Sequence, residues 1–398
     1  MKRKKIGVGH AYVTELEKKY VNEALDAGRL SAGDFVYRFE KQFAKLHQQE
    51  YGVACNSGTS ALHVALEALK EQRGWQDGSE VIVPAITFIA TSNACLHARL
   101  TPVFVDVDPI SYNLNPDLIE EKVTEKTVAI MPVHTFGQPC EMDKISLLAR
   151  KYNLAIVEDC AEAHFSTYKG KTVGSFSAIA GFSTYVAHTI TTGIGGVITT
   201  DDTELAEISR SLIAHGRACT CERCIASNPS AVCKLRRETK IDKRFMMVRL
   251  GYSYRVGELE GAIGLGQIEN RHYIMKARKD NAAYLTKGLQ PFTTHLQLPV
   301  FPEYVDHSFM MYPLVVKKDS PYSRDEITQM LEENNIESRP MLPLLNQPVY
   351  IDIFGNLEDN YPVAKGINQN GFYIGCHHGL NTEDLDYVLS VFRNIFSK

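Results

Sequence analysis

From residue 52 to about residue 200, short apolar runs alternate with longer amphipathic ones. GVAC (52–55), EVIVPAIT (80–87), TPVFVDVD (101–108), TVAIMPVH (127–134) and LAIVEDC (154–160) are rich in β-branched and apolar residues and predict strands. Between them, the apolar positions from Ala61 to Leu69 predict a helix starting near Ser57–Ser60, and IATSNACLHA and MDKISLLARKYN predict two more. A strand-like run from Phe182 to Tyr185 leads to a hydroxyl- and glycine-rich turn, TTGIGG (191–196), then a strand ending in VITTDD and the helix ELAEISRSLIAHG. The stretch 258–289 has no proline and predicts one long helix leading into a smaller α+β unit. This alternation predicts an α/β protein with a largely parallel central sheet covered by helices. The expected division is a large domain over residues 1–257, with a Cys-rich insertion at 215–249, and a small C-terminal domain over 258–398.

Composition adds exclusions. A chain of 398 residues that is 44% hydrophobic is long enough for two domains and a large core, and ordinary for a soluble protein. Its net charge of −4 gives no global field favouring nucleic acid. The basic N-terminus lacks an apolar segment of signal-peptide type, and no apolar run approaches the ~18–20 residues of a membrane helix. A cytoplasmic chain with neither nucleic-acid nor membrane partners is expected.

Three features bear on chemistry. Ser57-Gly58-Thr59-Ser60 opens a helix just after a strand, where exposed amides, hydroxyls and the positive helix end make a phosphate cup; a plain N-cap explains the same residues. Ser183, Thr191, Thr192 and Gly193 are further donors if the fold brings them close. Asp159 ends a strand expected to be buried, where α/β sheets place ligands, and there a carboxylate can keep a pyridinium nitrogen protonated or simply cap the next turn. The third feature is Cys219-x-Cys221-x2-Cys224-x8-Cys233. With no secretory signal, four sulfurs so spaced suggest structural zinc or an iron–sulfur cluster, and zinc is the better match on spacing alone. The surrounding 215–249 segment holds nine Lys/Arg against three Asp/Glu, which suits an acidic partner, a substrate diphosphate, or a solvated loop.

NSGTSALHVAL, VPAITFIATSNA, TPVFVDVDP, VHTFGQP, VEDCAEAHFSTYKGKTVGSFS, TTGIGG and GYSYRVGELEGAIGLGQIE together resemble the DegT/DnrJ/EryC1/StrS sugar aminotransferases, over nearly the whole chain. The resemblance implies the pyridoxal-phosphate fold type I and a homodimer with shared active sites. It places Asp159 at the pyridine nitrogen, Phe88 and Glu162 against the ring faces, and Gly58, Thr59 and Ser183 at the phosphate. Ser253 stands where an Asn of the second subunit usually reaches that phosphate, and Glu162 stands where Gln or His is usual.

At position 188 those aminotransferases carry the lysine that binds the cofactor covalently; this chain has His188, and no lysine between Lys171 and Lys234. Within the family, Lys-to-His marks a branch of 3-dehydratases. They hold pyridoxamine phosphate (PMP) non-covalently and remove the C3 hydroxyl of a nucleotide-linked 4-keto-6-deoxy sugar, with the histidine moving protons around neutral pH. The resemblance also reverses the reading of the cysteines. One dehydratase subgroup carries a [2Fe–2S] cluster fed by an electron-donating reductase, and here Cys160 follows Asp159 while Cys219, Cys221 and Cys233 resemble the downstream set, leaving Cys224 surplus. Zinc and free thiols stay open. So do two functional alternatives: an aminotransferase without the covalent lysine, and a non-catalytic sugar-nucleotide-binding protein. His215, Arg217, Arg339, His377 and His378 are further polar contacts to check, and nothing singles out CDP, GDP or dTDP.

Overall fold

The apolar runs become strands β1 (Tyr51–Cys55), β2 (Glu80–Pro84), β3 (Thr101–Val105), β4 (Thr127–Ile130) and β5 (Ala155–Asp159) in the computed structural model, which describes residues 5–223, 233 and 240–396. After a short hairpin of β6 (Thr167–Tyr168) and β7 (Lys171–Thr172), β8 (Ile179–Ser183) and β9 (Gly196–Thr200) complete a seven-stranded sheet of order β1-β9-β8-β5-β4-β2-β3. Strands β3, β2, β4, β5 and β8 run parallel, and β9 is antiparallel to both its neighbours. Helices cover both faces, so β5, β8 and β9 are buried at every position, including their polar residues Glu158, Asp159, Ser183, Thr199 and Thr200.

The helices of this part are α1 (Glu15–Asp26), α2 (Asp34–Leu46), α3 (Gly58–Arg73), α4 (Ala90–His97), α5 (Met142–Lys151) and α6 (Thr203–Ile213). Helix α3 starts where the Ser57 side chain accepts the Ser60 N–H at 3.0 Å and ends at Gly74, whose φ of +67° suits the left-handed cap. Its residues Ala61, Leu62, Val64, Ala65, Leu66, Ala68 and Leu69 are all buried, so α3 is wedged into the core rather than laid on the surface.

The single long helix expected over 258–289 is two: α7 (Glu258–Glu269) and α8 (Arg271–Leu289), joined at Asn270. Periodicity did not show the break because no proline or glycine marks it. Tertiary contacts impose it instead. The Asn270 amide donates to Thr14 Oγ1 and Glu17 Oε1, tying the joint to α1, while Gly261 lets α7 approach α2 so closely that a Cβ there would lie 2.5 Å from the Val36 nitrogen.

The smaller C-terminal domain is built on a four-stranded antiparallel sheet. Its strands are β10 (Leu296–Gln297), β12 (Tyr312–Val316), β14 (Gly371–Ile374) and β13 (Ser338–Pro340), in that order, while β11 (Val305–Asp306) pairs with β6. Helices α9 (Arg324–Glu333) and α12 (Thr382–Phe396) join α8 around a core that includes Leu285, Leu289, Tyr312, Leu314, Phe372 and Phe392. Between them, α10 (Pro348–Phe354) and α11 (Pro362–Asn370) bring Tyr350 and Tyr361 onto Phe104 of β3. The N-terminal segment also crosses to this domain: Ile6 bridges Ile336 and belongs to the same core. That crossing carries residues 8–11 past the ends of the central strands.

Candidate active site

The C-terminal ends of β5 and β8 and the first turn of α3 meet at one cavity of about 640 Å³. Gly58, Thr59, Phe88, Asp159, Glu162, Ser183, His188 and Arg339 all line it, joined by His10, Thr91, Tyr185, Glu337 and Tyr373. This is the position the parallel-sheet argument anticipates, because strand ends and helix starts leave polar backbone groups facing one crevice. Among the described residues, no lysine lines the cavity.

At one end lies the start of α3. The Gly58 and Thr59 amides belong to the first helical turn, which has no intrahelical acceptor for them. Gly58 packs directly on Ser183, and a Cβ at residue 58 would sit 2.5 Å from the Ser183 Cβ, so only glycine leaves room there. Ser60 is already committed, donating to Asn56 Oδ1 at 2.8 Å. The turn residues Thr191 and Thr192 are committed as well. Thr191 Oγ1 donates to the Thr184 carbonyl at 3.1 Å and Thr192 Oγ1 lies 2.7 Å from Thr184 Oγ1. They close the turn on itself, with Gly193 at φ +87°, and it is Ile194 and Gly195 that face the cavity.

At the other end Asp159 is 3% exposed. Its Oδ2 accepts from Thr91 Oγ1 at 2.7 Å and its Oδ1 from the Ala161 N–H at 3.1 Å. Burial raises its carboxyl above the ordinary range, against the pull of those two donors. Glu162, also buried, accepts the Phe136 N–H at 2.6 Å. Burial pushes its carboxyl up to about 7, with the nearby Asp159 charge adding to the rise. Phe136 holds a positive φ of 57°.

His188 lines the same cavity. Its Nδ1 bonds to the Ala161 carbonyl, so the ring proton sits on Nδ1 and the lone pair on Nε2. Burial pushes the imidazole down to about 4, partly offset by the Ala161 carbonyl and reinforced by the Arg278 guanidinium. An ordinary histidine titrating near neutrality is therefore not what the site holds: the ring is neutral at pH 7. Arg278 is fully buried behind the Met310 wall, donating to the Met310 carbonyl at 2.8 Å.

Cys160 is adjacent to Asp159 in sequence but points the other way, since successive side chains alternate across a strand. It is wholly buried against Phe43, Ala163 and Phe182, and burial pushes its thiol well above the ordinary range. Its sulfur groups with His134 and Glu158, all within 4.8 Å, and among the described residues this is the one such group of three possible metal ligands. Among the described residues, the Cys160 sulfur is not grouped with those of the loop cysteines. Glu158 there is already saturated by His134 Nε2, the Gly174 and Phe176 amides and Ser177 Oγ. In the loop, Cys219 and Cys221 sulfurs lie 3.8 Å apart, Cys233 is partly exposed, and Cys224 lies outside the described residues.

Ser253 is exposed, bridges Ala214 through its backbone and does not line the cavity. Nor do His215, whose ring meets Arg255, or Arg217. His377 stacks on His10, His378 meets His10 edge-on, and Arg339 is drawn into an ion pair with Glu337. Thr91 escaped sequence reasoning although its i,i+4 spacing from Thr87 was legible; the hydroxyls lie 2.7 Å apart. Residues 8–11 and Tyr373 carried no local signal, because only the folding of distant segments brings them here. Among the described residues, no helix is long and apolar enough to cross a membrane.

Residues 11–393 match the model of the DegT/DnrJ/EryC1/StrS aminotransferase family. The chain is 36% identical over 389 residues to the lipopolysaccharide biosynthesis protein RfbH of Salmonella typhimurium, covering 94% of this chain and 88% of that one. It is 34% identical over 381 residues to the GDP-perosamine synthase of Caulobacter vibrioides, covering 95% of each. Its fold matches a solved structure of E. coli GDP-4-keto-6-deoxy-D-mannose-3-dehydratase with bound hydrated PLP at a TM-score of 0.86, with 26% identity, over 98% of this chain and 100% of that one.

Proposed function

The chain belongs to the DegT/DnrJ/EryC1/StrS aminotransferase family, and from that premise we propose that it is a PMP-dependent enzyme that removes the C3 hydroxyl of a nucleotide-linked 4-keto-6-deoxyhexose. The observation that carries this reading is His188, in a cavity that no lysine lines among the described residues. The residues present suit the cofactor. The Gly58 and Thr59 amides with the Ser183 hydroxyl form a donor set for a phosphate at the positive end of α3. The fixed, buried Asp159 carboxylate suits a protonated ring nitrogen, and Phe88 and Glu162 line the same cavity. When bound, the cofactor supplies a ring that accepts an electron pair. His188 Nε2, neutral and with its lone pair available, takes a proton; an imidazole oriented by a carbonyl at Nδ1 is suited to that one task.

The similarity to GDP-perosamine synthase favours a second reading, transfer of nitrogen to the sugar without a covalent lysine. Incubating the purified protein with PMP and a 4-keto-6-deoxy nucleotide sugar separates the two by product mass. Loss of one oxygen with no nitrogen gained supports deoxygenation; an amino sugar with its C3 oxygen retained rejects it. His188→Asn should abolish oxygen loss, by about 10²–10⁴-fold, with cofactor affinity unchanged.

The homodimer is part of the same reading, with exposed Ser253 serving the site of a second copy. Ser253→Trp should then weaken cofactor binding without altering the isolated chain's fold. Of the thiolates a four-thiolate cluster would use, Cys219 and Cys221 have sulfurs 3.8 Å apart, and Cys224 lies outside the described residues. The proton transfer proposed for His188 calls on neither a cluster nor a reductase. Iron and zinc analysis of anaerobically purified protein tells iron–sulfur, zinc and no metal apart.

A further inference from the structure

A charged side chain taken out of water needs a partner of opposite sign, because its lost hydration is not otherwise recovered. Arg278, on α8, lacks one among the described residues. It is 1% exposed, and its Nη1 donates to the Phe309 carbonyl at 3.3 Å and the Met310 carbonyl at 2.8 Å. Its Nε and Nη2 have no hydrogen-bond partner among the described residues. Two carbonyls satisfy N–H groups without cancelling the charge. The titratable group beside it is Cys376, whose Sγ donates to the same Phe309 carbonyl at 3.2 Å. Burial pushes that thiol up to about 12, so it carries no charge at neutral pH.

The segment after Cys376 holds a second unmet donor. His378 is 5% exposed, and neither Nδ1 nor Nε2 has a partner among the described residues. A neutral imidazole carries one N–H in either tautomer, so one donor goes unmatched whichever form is present. Burial, with the Arg278 charge adding to it, pushes this ring down to about 3 and keeps it neutral. One turn along α8 from Arg278, Asn281 Nδ2 donates to the Cys376 carbonyl at 3.3 Å and the His377 carbonyl at 2.9 Å, tying the segment to that helix. His377 is satisfied: Nε2 bonds the Gly7 carbonyl at 3.1 Å, and Nδ1 accepts the Gly379 N–H at 3.1 Å. The Asp384 carboxylate acts on His377 and accepts the Asn381 N–H at 3.3 Å.

We propose that Arg278 and His378 form a buried binding site for a single small anion, chloride. The unmet groups are donors, so the occupant must be an acceptor. The Arg278 charge asks for an anion, since a water molecule would take an N–H and leave the charge uncompensated. Burial of both side chains limits the occupant to a small ion and shuts out a nucleotide phosphate or a carboxylate of another chain. The bound ion would steady Arg278 and, through Nη1, the Met310 carbonyl behind the cavity that Met310 and Met311 line. This site stands whether or not the deoxygenation reading does.

The test is urea unfolding of the wild-type protein in rising chloride, with gluconate holding ionic strength constant. The folding equilibrium constant should grow about tenfold for each tenfold rise in chloride above its Kd, the slope of one bound ion. Crystals soaked in bromide should show an anomalous-scattering peak beside Arg278 and His378. Arg278→Met, which keeps a long apolar stem, should abolish the chloride slope. His378→Phe, which keeps a ring and removes both nitrogens, should weaken chloride affinity by about tenfold or more. The bromide peak and the His378→Phe measurement decide the matter if Arg278→Met fails to fold. A folding constant indifferent to chloride, or a chloride response unaltered in either variant, overturns the proposal. So does bromide bound elsewhere but not here. A peak here without a chloride slope marks an adventitious ion only and overturns it as well.

Discussion

Replacing Thr91 by valine preserves the outline of the side chain and deletes one hydroxyl. That hydroxyl donates to Asp159 Oδ2 at 2.7 Å in a region where Thr91 is 1% exposed. A hydrogen bond to a charged, buried acceptor contributes about 1.5–3 kcal/mol, and the Thr87 hydroxyl, 2.7 Å from Thr91 Oγ1, also loses its neighbour. The expected cost is therefore about 2 kcal/mol in unfolding free energy at pH 8. Its pH dependence identifies the cause. The folded-state pKa of Asp159 is raised, so the folded protein binds this proton more tightly than the unfolded chain. Stability is then present at low pH and lost as pH rises through the folded pKa, and removing the donor deepens that loss. The valine deficit should accordingly shrink as pH is lowered toward the titration of Asp159. Urea unfolding followed by circular dichroism measures it, with Thr91→Ser, which keeps the hydroxyl, as the control. A deficit below about 0.5 kcal/mol at pH 8, or one equal at all pH values, refutes the claim that Thr91 serves the carboxylate.

Gly58→Ala should place a methyl against Ser183, costing about 1–3 kcal/mol in stability and weakening PMP affinity, as read by equilibrium titration; unchanged affinity would remove Gly58 from the phosphate cup. His47 and His307 are wholly or nearly buried and pushed down to about 4 and about 3, so they stay neutral in the fold while the unfolded chain protonates. Stability present above about 6.5 should drain away as pH falls toward those values, by about 1–2 kcal/mol per histidine at pH 5, and a flat urea midpoint between pH 7 and 5 would contradict this. Glu158→Gln should cost about 3–5 kcal/mol, because it breaks a buried charge network with four donors. Added zinc should leave the wild-type melting temperature unmoved by way of Cys160, since Glu158 has no spare lone pairs to offer; a Cys160-dependent rise would show otherwise.

The layered α/β architecture was legible in the sequence because burial on both faces of a sheet leaves a local mark, a run of apolar residues, that needs no knowledge of distant segments. So were the strand-end Asp159 and the α3 start with its Ser57 cap, since strand ends and caps are written in consecutive residues. What neighbours across the fold impose was not written there. The break at Asn270 comes from α1, and the inward turn of Thr191 and Thr192 comes from Thr184. The separation of Cys160 from Asp159 is a matter of which face of one strand each residue occupies, and adjacency in sequence concealed it. Tertiary packing alone decided the chemical state of the site: burial and the Ala161 carbonyl fix a neutral His188, and the Phe136 amide fixes one oxygen of Glu162. The residue types set which protons can move; desolvation and hydrogen bonding by segments far apart in the chain set where those protons rest.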